Sequence, residues 1–383
     1  MNVKNTKIPQ PRFQSEYRSS LRLKTYGEDN LYPQHLVRIT EASGTASLCL
    51  ARFQKFVEGD GFRGEAFART NANDEETFDD ILAQVANDVC QFSGYAIHVN
   101  YNVLGEVVDM RHVPFENCRL EEPDDNGYVA HILVHEDWTG RKTKNGQRVR
   151  VADENIERFN VYNPDREVVF AQIDEAGGID AYKGQILWVS MAGKQTYPTP
   201  IYDAAITEIS TDEGIGNVKY RSTRNNFLIP CMLITKKGIP TIDANGKRVE
   251  QKMIEADDLR DFQGDENTGK IMLVELENEE DEPKVVEFPT KNFDKDFELT
   301  DKTTVERIYA QFHQELFYAI RIGKLGFSGD VMRDAYEYYA GEVTNEQRFI
   351  ERGFAKILAV WHDPILRNAD CAIAPLRYIN SGG

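Results

Sequence analysis

Nothing in the 383 residues approaches a run of about eighteen consecutive apolar residues, so no transmembrane helix is expected. Cysteine is scarce. The five residues Cys49, Cys90, Cys118, Cys231 and Cys371 are scattered and form no C-x-x-C pair, which fits a reducing cytosol better than a disulfide scaffold. The first twenty residues are polar and lack the apolar core of a secretory signal, so none is expected. Positive charge is short as well: 45 Lys and Arg stand against 63 Asp and Glu, a net charge of −18. That excludes a protein gripping DNA over a basic surface, but not one that lets DNA slide past.

What remains is an ordinary soluble composition, with 41% hydrophobic and 28% charged residues. After an arm-like start, "NLYPQHLVRITEASGTASLCLARFQKFVEGDGF" carries a helical pattern between Pro33 and Gly59. "TFDDILAQVANDVCQFSG" follows, with Phe78, Ile81, Leu82 and Val85 on one helical face and Gly94 as a stop. The period then changes to two. "YAIHVNY", a turn at "NVLGE" and "VVDMRHVP" predict a hairpin. "YVAHILVHEDW", "ERFNVYN", "EVVFAQI" and "GQILWVSM" predict further strands. Residues 20–190 are thus expected to form an α+β domain with an antiparallel sheet.

Beyond "TYPTP" the pattern is different. Residues 201–228 predict one long helix, weakened at Gly214 and Gly216. A short mixed segment follows: strand "IPCMLITKKG", turn "DANGKR", helix "EQKMIEADDLRDF" and strand "GKIMLVEL", then an acidic run from Glu275 to Glu282. A second long helix is expected from Asp301, with Thr303 and Glu306 at capping-box spacing and Val305, Ile308, Phe312, Leu316 and Ile320 on one face. "GKLGFSGDVMRDAYEYYAGE" predicts a Gly- and Tyr-rich connection. A third helix is expected from Thr344, with Gln347 at the box position and Pro364 closing it.

No catalytic constellation emerges. "GDENTGKIML" (264–273) matches G-x-x-x-x-G-K, but Ile271 replaces the hydroxyl that holds Mg²⁺, and Asp265 and Glu266 would face the phosphates. The flanking order, helix then strand, is the reverse of a phosphate-binding loop. His131 and His135 have metal spacing only on a helix, and they lie in a strand pattern without a third ligand nearby. His35, His98, His112, His313 and His362 stand alone in sequence, as core or surface residues. Paired carboxylates such as Asp79–Asp80 and Asp257–Asp258 sit in helical patterns, where one of each pair is solvated. The chain is expected to be no enzyme and to hold no cofactor or metal.

The order of elements resembles that of the portal (head–tail connector) proteins of tailed bacteriophages. The likeness runs from "YGEDNLYP" to the third helix, and no single motif carries it. "FVEGDGF" and "VCQFSGYAIHVNYNVLGEVVDMRHVPFENCRL" resemble the family's entry pattern, and "YPTPIYDAA" the opening of its first stem helix. "NNFLIPCMLITKKG" and "NTGKIMLVEL" resemble the strands of its clip, and "DAYEYYAGEVTNEQRFIERGFAKIL" the loop and helix after the second stem helix.

The resemblance implies an arm and wing over 1–200, a first stem helix over 201–228, a clip over 229–292 and a second stem helix over 293–323. It further implies a channel (tunnel) loop over 324–341 and a C-terminal helix and tail over 342–383, with a short or absent crown. It implies a ring of about twelve copies at one capsid vertex of the virion, assembled in the bacterial host cytoplasm. Its partners would be double-stranded DNA passing through the channel, the terminase large subunit, the major capsid protein and a head–tail adaptor, with no membrane. Channel candidates are Lys219, Arg221, Arg224, Phe327, Tyr336, Tyr338 and Tyr339. The three basic residues alternatively cap the C-terminus of their helix, and the aromatics alternatively pack under the wing. Clip docking candidates are Lys236, Lys237, Lys247, Arg248, Asp257 and Asp258. Other readings are a different virion protein, such as a capsid or adaptor protein, or an enzyme built on the α+β domain.

Overall fold

Ser43 splits the first helical stretch in two. Its backbone is extended and its hydroxyl accepts the Ala46 amide at 3.0 Å, so one helix ends and the next is capped at the same residue. The computed structural model describes residues 17–18, 20–141, 143–144, 147–148, 151–192, 196–224, 231–234, 239–242, 248–251, 284–287 and 293–378. The helices are α1 (Tyr32–Ala42), α2 (Gly44–Glu58), α3 (Glu65–Ala68), α4 (Phe78–Phe92), α5 (Arg166–Ala176), α6 (Ile206–Arg224), α7 (Phe293–Gln311), α8 (Glu315–Arg321), α9 (Gly329–Glu342) and α10 (Thr344–Leu358). The strands are β1 (Tyr17–Arg18), β2 (Leu23–Lys24), β3 (Gly94–Tyr101), β4 (Val107–Val113), β5 (Cys118–Leu120), β6 (His131–Val134), β7 (Thr143–Lys144) and β8 (Gln147–Arg148). They continue with β9 (Glu157–Val161), β10 (Gln185–Ser190), β11 (Cys231–Ile234), β12 (Ile239–Ile242), β13 (Arg248–Gln251) and β14 (Lys284–Glu287).

The chain packs as two units, Met1–Ser210 with Val305–Gly383, and Thr211–Thr304. In the first, six strands form one sheet in the order β4-β3-β10-β9-β6-β5. The β3–β4 hairpin is as predicted, and Gly105 (φ 70) supplies the left-handed position its turn needs. The sheet is mixed rather than antiparallel, because β9 and β10 run parallel. "EVVFAQI" explains the difference: it is helix α5, not a strand. Asp165 caps it by accepting the Glu167 amide at 2.9 Å, and Gly177 closes it in the left-handed conformation. A helix between two parallel strands is the crossover that such a pair requires.

Both sheet edges are covered. On β4, Val107 N donates to Val360 O at 3.0 Å and Met110 N to Ala72 O at 3.1 Å; beyond β5, Glu122 N donates to Arg22 O at 3.0 Å. The core lies between sheet and helices. Tyr95, Ile97 and Val99 of β3, Ile81, Leu82, Val85 and Val89 of α4, and Ile350, Phe354, Ile357 and Leu358 of α10 are buried together. A reciprocal Thr77–Asp80 box starts α4, and Ser93 (φ 59), not Gly94, stops it.

Three helix features differ from the sequence reading, although α10 begins at Thr344 as expected. α7 begins at Phe293, so Thr303 is interior and its hydroxyl donates back to Leu299 O at 2.6 Å instead of capping. The expected continuous stripe through Ile320 is broken, because His313 takes a left-handed backbone (φ 57) before α8. α10 has no side-chain cap. Thr344 donates to Gly341 O at 2.8 Å, and Gln347 reaches across to Phe56 O at 3.1 Å.

The second unit holds the ladders β11–β14 and β12–β13. Strand β14 was not foreseen, and Glu250 and Gln251, read as the start of a helix, end β13. Among the described residues no helix is long and apolar enough to cross a membrane.

Candidate functional site

The candidate site is the helix pair α6 and α7 with the segment that follows it. Tyr202 anchors the entry to α6: its hydroxyl donates to Gln91 O at 2.7 Å and its ring stacks on Phe312, 5.3 Å between centroids. A short 3₁₀ turn, Asp203–Ala205, precedes the helix, so α6 starts five residues later than predicted. Ile206, Ile209 and Ile308 are buried in the core of the first unit. There Arg307 pairs with Glu208 at 3.1 Å, and in the second unit Lys219 pairs with Asp301 at 2.5 Å. Each pair joins an exposed cation to a partly buried carboxylate and contributes about 1 kcal/mol at most.

These placements bear on the channel candidates. The Lys219 charge is matched by Asp301, so it does not contribute a free cation to a basic band. Arg221 and Arg224 lie on the last described residues of α6. Residues 324–341, expected to be a loop, are mostly helix α9. Ser328 caps it, accepting the Val331 amide at 3.3 Å. Met332, Ala335, Tyr339 and Val343 recur at helical spacing, a stripe that the glycines and tyrosines obscured in the sequence.

Tyr339 is 1% exposed and belongs to the core, which corrects its assignment as a channel residue. Tyr336 is half-buried against Phe56 and Tyr378, at 4.9 and 5.4 Å between centroids. Tyr338 (51% exposed) and Phe327 (77% exposed) do face outward. An open cavity of about 450 Å³ beside α9 is lined by Arg333, Tyr336, Ala340, Leu376, Arg377 and Tyr378.

The break between α7 and α8 is held by residues that the sequence did not reveal. Gln314 is fully buried. Its amide donates to Cys49 O and to the Tyr339 hydroxyl, both at 2.8 Å, and its oxygen accepts from Arg52 Nη1 at 2.8 Å. Tyr339 donates in turn to Phe312 O at 3.0 Å, and the Arg52 guanidinium lies 4.5 Å from the centre of the Phe317 ring. One side chain thus ties α2 and α9 to the end of α7. Tyr339→Phe is expected to cost about 1 kcal/mol in a denaturant titration, because it leaves Phe312 O unpaired. Unchanged stability would mean that this network does not hold the break.

Of the clip candidates, Arg248 opens β13 opposite Ile242. Lys236, Lys237, Lys247, Asp257, Asp258 and the phosphate-loop look-alike at 264–273 lie outside the described residues. His131 Nδ1 is 2.6 Å from Glu121, and His135 is buried beside Trp138. Among the described residues no cluster of three or more His, Cys, Asp or Glu is disposed to hold a metal.

No family model and no curated protein sequence matches the chain. Its fold, however, is similar to that of a chain in the neck of an empty gene transfer agent (GTA) particle computed with C6 symmetry. That likeness has a TM-score of 0.50 at 12% identity and covers 90% of this chain and 85% of that one. Similarity extends to a chain of the virion of a native GTA particle (TM-score 0.47, 11% identity, 86% and 83% covered). It extends also to a chain of the neck of a native GTA particle computed with C12 symmetry (TM-score 0.48, 11% identity, 86% and 82% covered). The chain therefore has an α+β fold like that of a particle-neck chain.

Proposed function

We propose that the chain is a portal subunit, a structural protein of a phage-like particle that forms a ring of about twelve copies at one vertex. The observation that carries this is the fold likeness to a neck chain over 90% of the sequence. The chain's organisation supports it: α6 leaves the first unit for the second and α7 returns, so a separately packed insert sits between two long helices. In this reading residues 20–200 are the wing, α6 and α7 are the stem, and 229–292 are the clip on which terminase large subunit and head–tail adaptor dock. The first unit is set beside the major capsid protein. Phe327 and Tyr338, exposed before and on α9, are the residues offered to double-stranded DNA in the channel. The acidic chain suits that task, since a conduit must not hold phosphate tightly.

Assembly tests the reading. Native mass spectrometry and negative-stain imaging of the purified chain are expected to show closed rings with a central hole. Cryo-EM of particles from the source is expected to place it at a single vertex. Finding it distributed over the shell, or at a site away from the DNA path, would identify another virion component and end the portal proposal.

A further inference from the structure

An open cavity of about 390 Å³ lies against α1, α2 and α4, with apolar lining from Val37, Leu50 and Phe92 and carboxylates from Glu41, Asp88 and Glu116. Asp88 is already engaged: it is 2.6 Å from His112 Nε2 and accepts the Phe115 amide at 3.0 Å. Glu116 is different. Its backbone carbonyl, not its carboxylate, takes the bonds from Gln34 and Arg119. Burial first, and then the neighbouring Asp88, push the Glu116 carboxyl above its ordinary range. Thr40, Ser47, Asn87 and Gln91 add neutral polar lining, and a groove of this mixed apolar and acidic character fits a positively charged, extended, partly apolar segment.

The chain supplies one. Its first nineteen residues carry Lys4, Lys7, Arg12 and Arg18 against the single acid Glu16, within a chain of net charge −18. In Lys7-Ile8-Pro9-Gln10-Pro11-Arg12 a cation stands at each end of an apolar stretch. Two prolines favour an extended backbone, so docking this segment costs little ordering entropy.

The geometry points to this groove as the binding site of the chain's own Lys7–Arg12 segment. Ile8 and the prolines cover Val37, Leu50 and Phe92, while Lys7 and Arg12 pair with Glu41 and Glu116. Room for roughly two or three side chains matches the groove. This inference is independent of ring assembly.

Site-specific photo-crosslinking tests it in the full-length chain, with a benzophenone amino acid in place of Ile8. Crosslinked peptides are expected to map to residues 37–50 or 87–92. Their yield is expected to fall about fivefold or more when Glu41→Gln and Glu116→Gln are combined, the scale of losing one or two partly exposed charge pairs. A similar fall is expected between about 0.05 M and about 0.5 M salt. Lys7→Gln with Arg12→Gln removes the same pairs from the arm side, outside the packed core, and should give the same loss. Crosslinks mapping elsewhere, or a yield indifferent to both double variants, would overturn the assignment.

Discussion

Gly353→Ala should lower the unfolding free energy by about 3 kcal/mol, a large effect for one added methyl group. Gly353 lies on the buried face of α10, and helix propensity alone would favour alanine by up to about 1 kcal/mol. Packing decides against it. A Cβ at this position would stand 1.8 Å from the Tyr95 hydroxyl oxygen and 2.9 Å from its Cζ. Tyr95 cannot yield easily: it is fully buried on β3, and its ring lies edge-to-face with Phe349. Either α10 lifts from the sheet or the tyrosine leaves its place. Tyr95→Phe removes the closest atom and should restore about half of the loss in the double variant, because the ring itself remains near. Guanidinium titrations of the four proteins measure this. A Gly353→Ala protein as stable as its parent would mean that α10 does not approach β3 so closely.

Sequence pattern exposed the elements whose signals are local. The β3–β4 hairpin shows strict alternation around a glycine turn, and α4 shows an apolar stripe behind Thr77. α5 was misread because Val168, Val169 and Ile173 favour strands locally, while its cap and stop residues lie outside the run. That single error also hid the sheet's topology: without a crossover helix between β9 and β10, a parallel pair could not be inferred. The site was harder still. Gln314 meets Arg52 and Cys49 across more than 260 residues, and nothing near Gln314 in sequence marks it as a buried hub. Phe327 and Tyr338 were picked for their bulk, and only the fold separates them from the buried Tyr339.

Arg119→Met is expected to be the other severe change, at about 3 kcal/mol. Arg119 is fully buried, and burial pushes its pKa down to about 10. It stays charged at neutral pH, and among the described residues no carboxylate is bonded to it. Instead its guanidinium donates to Asn30 Oδ1 at 2.8 Å and Asn30 O at 2.7 Å, and to Glu116 O at 2.9 Å and Cys118 O at 2.7 Å. Tyr26 and Trp138 lie 5.6 and 5.0 Å from it, ring centre to Cζ. Methionine matches the volume and lifts the desolvation cost, but it removes four hydrogen bonds at once. Asn30 Oδ1 keeps the Tyr26 amide and Glu116 O keeps Gln34, while Asn30 O and Cys118 O lose their donor, and each buried unpaired group costs about 1 kcal/mol or more. Lysine keeps the charge, yet its ammonium has three donors and no plane to lie against two rings, so Arg119→Lys should still lose about 2 kcal/mol. The consequence reaches the helix pair. Asn30, held at φ 64 by these bonds, also accepts the Tyr26 amide. Tyr26 stacks on Tyr197 at 4.2 Å and donates to Pro198 O at 2.6 Å, in the segment that leads into α6. Hydrogen exchange at residues 197–206 should therefore quicken in Arg119→Met more than in a destabilised control such as Gly353→Ala. Equal protection in the two variants would show that Arg119 stabilises the fold without fixing the root of α6.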